Sequence, residues 1–164
     1  MRRWFRVRRK NHQRLQNFGI QMTEIDNHVS FIVPGTPVGK GRPRFARQGA
    51  FVRTFTPENT ASYENLVKVK AEEAMHGRQI FEGAVSVEIS LFITPPASWS
   101  QKRQREALGG AIFPTSKPDV DNCLKGIMDA CNEIVFRDDK QAVDVLVRKR
   151  YDNTARTLIR VAAL

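Results

Sequence analysis

Residues Lys117 to Lys140 read KPDVDNCLKGIMDACNEIVFRDDK. Val120, Cys123, Leu124, Ile127, Met128, Cys131 and Ile134 recur at three- and four-residue steps, which predicts an amphipathic helix over about 120–133 with one buried stripe. Pro118 disfavours helical geometry at Lys117 and suits a helix entrance, so Asp119 falls at or near the N-cap. Carboxylates two residues apart diverge inside a helix. With Asp119 still outside helical geometry and Asp121 in the first turn, both can face one space, and that space suits a hard divalent cation.

Lys125 follows Asp121 by one turn on the same face. Asp138 and Asp139 come after the helix and before a strand, so a return of the chain can bring one of them beside the first pair. Of the 17 acidic residues, seven (Asp119, Asp121, Asp129, Glu133, Asp138, Asp139 and Asp144) fall between 119 and 144, in a chain that is otherwise basic. Crowded carboxylates stay ionised only beside a cation or a lysine. Three oxygen ligands with waters and a phosphate oxygen fit Mg²⁺, and a metal-activated water attacking a phosphodiester is the chemistry that follows. The same residues also admit a plainer reading, with Asp119 as a cap, Asp121 and Lys125 as a surface ion pair, and Asp138 with Asp139 as a turn.

The ordered set Lys117-Pro118-Asp119-Val120-Asp121-Asn122, Lys125, Asp129-Ala130, and Asp138-Asp139 followed by Gln141 and Val143 resembles the signature of the RusA family of Holliday junction resolvases. The upstream segment Gly39-Lys40-Gly41-Arg42-Pro43-Arg44-Phe45 is similar to the opening of many members, and the likeness runs from about Ser30 to the C-terminus. The resemblance implies a small, homodimeric, magnesium-dependent endonuclease that cuts four-way DNA junctions symmetrically. Matched residue by residue, it implies catalytic and metal-binding roles for Asp119, Asp121 and Asp139, a catalytic role for Lys125, and a less critical one for Asp138. Cys123 and Cys131 depart from the aliphatics common in the family, and the N-terminal extension has no counterpart in the pattern.

A chain of 164 residues with 41% hydrophobic residues is one domain's worth, and no apolar run reaches the length that spans a bilayer. Cys123 and Cys131, eight residues apart on one predicted helix, read as buried thiols, and the three histidines form no ligand pattern. A reducing, cytoplasmic setting follows. The net charge of +10 is uneven: Arg2, Arg3, Arg6, Arg8, Arg9, Lys10 and Arg14 give +7 with no acid in residues 1–22, and the remaining 20 basic and 17 acidic residues leave +3. Residues 1–28 therefore read as a basic, disordered extension, and 29–164 as the endonuclease domain.

Along that domain, Val29–Val33 predicts a first strand. Lys40, Arg42, Arg44, Arg47 and Arg53 then appear with no acid between Asp26 and Glu58, interleaved with Phe45, Phe51 and Phe55, which suits phosphate contacts from the cations and a hairpin with its phenylalanines inward. Thr56-Pro57 opens a helix running to Gly77, and residues 85–93 alternate as a long strand. Trp99–Leu108 predicts a short basic helix carrying Lys102 and Arg103, which with Lys117 are further candidates to hold the DNA backbone. Val143, Val145 and Val147 mark a strand, Asp152-Asn153 a turn, and Thr157, Ile159 and Val161 a final hairpin strand.

The expected fold is a single α+β domain, a mixed β-sheet of four to six strands against two principal helices. One site per chain and a near two-fold junction call for a homodimer on branched DNA, with no membrane role. Two rivals share these features: a general or other branched-DNA nuclease, and a catalytically silent junction-binding protein.

Overall fold

The computed structural model describes residues 27–41 and 58–164 fully, and residues 44–48 and 51–55 at the level of the backbone. Four strands form one mixed sheet: β1 (His28–Pro34), β4 (Val85–Ile93), β5 (Ala142–Tyr151) and β6 (Arg156–Ala163), in the order β1-β6-β4-β5. Two more, β2 (Arg44–Gln48) and β3 (Phe51–Phe55), pair with each other as an antiparallel hairpin. The helices among the described residues are α1 (Glu58–Met75), α2 (Gln101–Leu108) and α3 (Val120–Cys131), with a 3₁₀ turn at Asp139–Gln141. The expected α+β class and mixed sheet are therefore present. The expectation for residues 1–28 falls outside the described residues except for Asn27, whose carbonyl accepts from Ala163 N–H, and His28, which begins β1.

Strand alternation sets one face of the sheet. Val33, Thr157 and Leu91 form one cross-strand row, and Phe31, Ile159, Ile89 and Val147 the next. All of these are buried except Val147, which packs against the same core. Helix α1 lays Tyr63, Val67, Ala71 and Met75 on this face at three- and four-residue steps, and the Tyr63 hydroxyl meets Thr157 Oγ1 at 2.6 Å. Helix α3 packs beside α1 and reaches β5, burying Cys123, Ile127, Met128, Ala130 and Cys131.

Two expectations are corrected. The helix stops at Cys131 rather than about 133, because Asn132 leaves helical geometry (φ −58, ψ 138) and Glu133 follows at φ +61, a turn after which Val135 and Phe136 enter the core from outside the helix. Strands β5 and β6 are not a hairpin. Strand β4 lies between them, parallel to β5 and antiparallel to β6, and residues 152–155 carry the chain across its end. The row of buried side chains on β4 needs neighbours on both edges, and β6 covers one while β5 covers the other. Joining parallel β4 and β5 requires a long crossover, and that crossover contains α2 and α3.

Candidate active site

Lys117-Pro118 is a cis peptide, and Asp119 follows it as the N-cap of α3 in extended geometry (φ −75, ψ 140). Its carbonyl accepts the first helical hydrogen bond, from Cys123 N–H at 3.1 Å, but its carboxylate makes no capping bond. Instead Asp119 Oδ2 accepts from the Asn122 side-chain amide at 3.4 Å. Asp121 stands exposed in the first turn and Lys125 exposed one turn on. The ion pairs among the described residues join Lys40 to Glu64 and Asp129, Lys70 to Glu73, Arg137 to Glu82, Lys140 to Asp138 and Arg156 to Asp152. Asp121 and Lys125 are not tied to one another, so neither the cap nor the surface ion pair uses these side chains.

The segment that presents the carboxylates is pinned from two sides. On one side, residues 38–41 cross the first turn of α3, with Lys40 N–H donating to Asn122 O at 2.9 Å. Gly39 makes the approach close: a Cβ there would stand 3.0 Å from Asn122 Cβ, tight enough that Asn122 would have to shift by a few tenths of an ångström, and 3.7 Å from Pro118 Cβ. On the other side, Lys149 Nζ on β5 donates to Ser116 O at 2.7 Å and to Pro118 O at 3.0 Å. The next two residues of β5 hold the rest of the crossover: Arg150 stacks 4.8 Å over the Phe113 ring, and Tyr151 meets Trp99 edge-on with centroids 5.6 Å apart. The carboxylates, α2 and Lys117 are thereby gathered at the C-terminal end of β5.

Asp139 opens the 3₁₀ turn, which packs against α3. The turn is set by a capping box: Asp138 accepts from Lys140 N–H at 3.0 Å, and Gln141 Oε1 accepts from Asp138 N–H at 2.9 Å. These bonds from Lys140, first its backbone amide and then its ammonium, hold the Asp138 carboxyl below its usual range. Among the described residues no three His, Cys, Asp or Glu side chains are grouped closely enough to hold a metal ion, and Asp119, Asp121 and Asp139 are no exception. The donor chemistry of the first two still matches a hard cation, since Mg²⁺ is commonly held by one or two carboxylates completed by waters and substrate phosphate.

The cations divide. Lys40 directs its ammonium to the Asp129 carboxylate, with Glu64 Oε1 at 3.6 Å, and that bond to Asp129 raises the lysine above its ordinary value. Arg42 lies outside the described residues, and Arg44 and Arg47 stand on β2 at positions facing Phe55 and Val52 across the hairpin. Lys102, Arg103 and Lys117 are exposed, and the Arg103 guanidinium lies 3.9 Å over the Trp99 ring. Cys123 is buried beneath the site, and burial pushes its thiol up to about 11, the Lys149 charge opposing this while Asp119 and Asp121 add to it. Lys149 escaped the sequence reading, although it continues the Val145, Val147 alternation with a cation where an apolar residue is expected.

The profile of the family described as Endodeoxyribonuclease RusA matches residues 34–162. A relative from Bacillus subtilis (strain 168), described as the uncharacterized protein YqaN, is 33% identical over 135 residues, 81% of this chain and 94% of its own length. The chain belongs to the RusA family of endodeoxyribonucleases, which makes it an enzyme of the Holliday junction resolvase class.

Proposed function

We propose that this protein resolves four-way DNA junctions by paired, magnesium-dependent hydrolysis of one phosphodiester in each of two opposing strands. The observation that carries this reading is the pair Asp119 and Asp121, whose carboxylates are exposed at the entrance of α3 and, among the described residues, are taken up by neither a capping bond nor an ion pair. Asp119 and Asp121 would hold the ion. Bound there, magnesium supplies a water acidic enough to act at neutral pH and positive charge for the scissile phosphate.

The remaining steps fall to the chain's own side chains. Lys125, one turn from Asp121, presents its ammonium to the phosphate as negative charge grows on it. Asp139, the third carboxylate that the family resemblance implies, stands on the turn before β5, and among the described residues it is not grouped with Asp119 and Asp121. Lys102, Arg103, Lys117 and the arginines Arg42, Arg44 and Arg47 hold the junction arms by their phosphates, which position DNA without reading its sequence. One site per chain and two symmetric cuts call for a two-fold homodimer. The two free buried cysteines suit a reducing cytoplasm.

Asp119→Asn keeps the helix entrance and removes a charge needed for the ion. It is expected to lose cleavage of a synthetic four-way junction by a factor of roughly a thousand or more while junction affinity in EDTA is retained. Gel-resolved cleavage beside a binding titration checks this, and wild-type cutting by the variant would remove Asp119 from the site.

A further inference from the structure

We propose that Lys149 is a positioning residue for the nuclease site, its ammonium clamping the carbonyls of Ser116 and Pro118 so that Asp119 and Asp121 are presented together at the start of α3. The inference rests on the functional reading above for its catalytic consequence, but the clamp itself stands on geometry. Lys149 occupies the inner row of β5, after Val145 and Val147, and pairs across the sheet with the fully buried Leu91. A half-buried ammonium in an apolar row is costly unless its hydrogen bonds are made. Here they go to two carbonyls, at 2.7 and 3.0 Å, that flank Lys117 and lead directly into Asp119. Both partners are neutral, so the positive charge is not cancelled by them. It stays beside the entrance of α3, where two carboxylates repel each other before any cation arrives.

The strand supplies the leverage. Residues 149, 150 and 151 take hold of three successive parts of the crossover: the 116–118 segment, Phe113 and Trp99. Among them Lys149 bonds the backbone immediately before the carboxylates. A catalytic group displaced by about 1 Å loses on the order of a hundredfold in rate. Removing the clamp should therefore slow the chemical step and leave DNA affinity alone.

The test compares full-length wild type, Lys149→Met and Lys149→Arg. Lys149→Met is expected to cut a four-way junction about 100-fold more slowly in single turnover, as loss of precise placement predicts. Junction affinity in EDTA should stay near that of wild type, and Lys149→Arg should recover most of the rate because it restores donors and charge. A second readout needs no activity: amide exchange at Cys123, whose N–H closes the first turn of α3 on Asp119 O, should accelerate in Lys149→Met and return toward wild type in Lys149→Arg. Wild-type cleavage by Lys149→Met, a loss of affinity that matches the loss of rate, or unchanged Cys123 exchange would each overturn the assignment. If wild type itself cuts no junction, the functional reading fails, and the exchange comparison still decides the clamp.

Discussion

Lys40 shows how a single side chain changes meaning once its surroundings are known. In an acid-free stretch it reads as a phosphate contact, yet its partner Asp129 lies 89 positions along the chain and no local pattern announces it. Glu64 Oε1 is buried with no hydrogen bond of its own, so Lys40 is the charge that balances it. Lys40→Met should lower stability by about 1–3 kcal/mol, the cost of leaving a carboxylate without its partner, measured by urea unfolding. Unchanged stability with weakened junction binding would return Lys40 to the DNA surface. Cys131 offers a second measurement. Burial pushes its thiol from 9.0 to about 12, so folding keeps it protonated. The stability this represents is complete below about pH 9 and is lost as pH rises toward the folded value. The gap in unfolding free energy between wild type and Cys131→Ala should therefore narrow from pH 8 to pH 10.5, and a constant gap would contradict the burial argument.

At the scale of elements, the aspartate helix was legible because two independent signals agreed: the apolar period and the proline that fixes its entrance. Its end was not legible. Helices commonly stop at a glycine or asparagine in left-handed geometry, and here an exposed glutamate, Glu133, holds that conformation at φ +61. Replacing it tests the point cleanly. Glu133→Gly should be neutral or raise stability by up to about 1 kcal/mol, whereas Glu133→Val should lower it by about 1–2 kcal/mol, read from thermal unfolding. If both variants melt alike, φ at 133 is not what turns the chain. Strand positions were likewise readable, because alternation reports which side chains face the core. Alternation does not report which strand is the neighbour. That is why β5 and β6 looked like a hairpin until β4 was found between them.

For the whole molecule, the parallel pairing of β4 and β5 is the decisive arrangement, since it forces the crossover that holds α2 and the entrance of α3, with Asp119 and Asp121, at one end of β5. Asp119, Asp121 and Lys125 could be named in advance because they share two turns of one helix. Their relation to Asp139 could not, because it depends on how the 3₁₀ turn settles against α3. The central claim is that carboxylates at the α3 entrance run metal-dependent cleavage of branched DNA. Its most direct test is cleavage of a labelled synthetic four-way junction by wild type and Asp121→Asn, each with Mg²⁺ and with EDTA. The account predicts paired nicks in opposing arms for wild type with Mg²⁺ and none in the other three reactions. Equal cutting by Asp121→Asn, or cutting in EDTA, would contradict it.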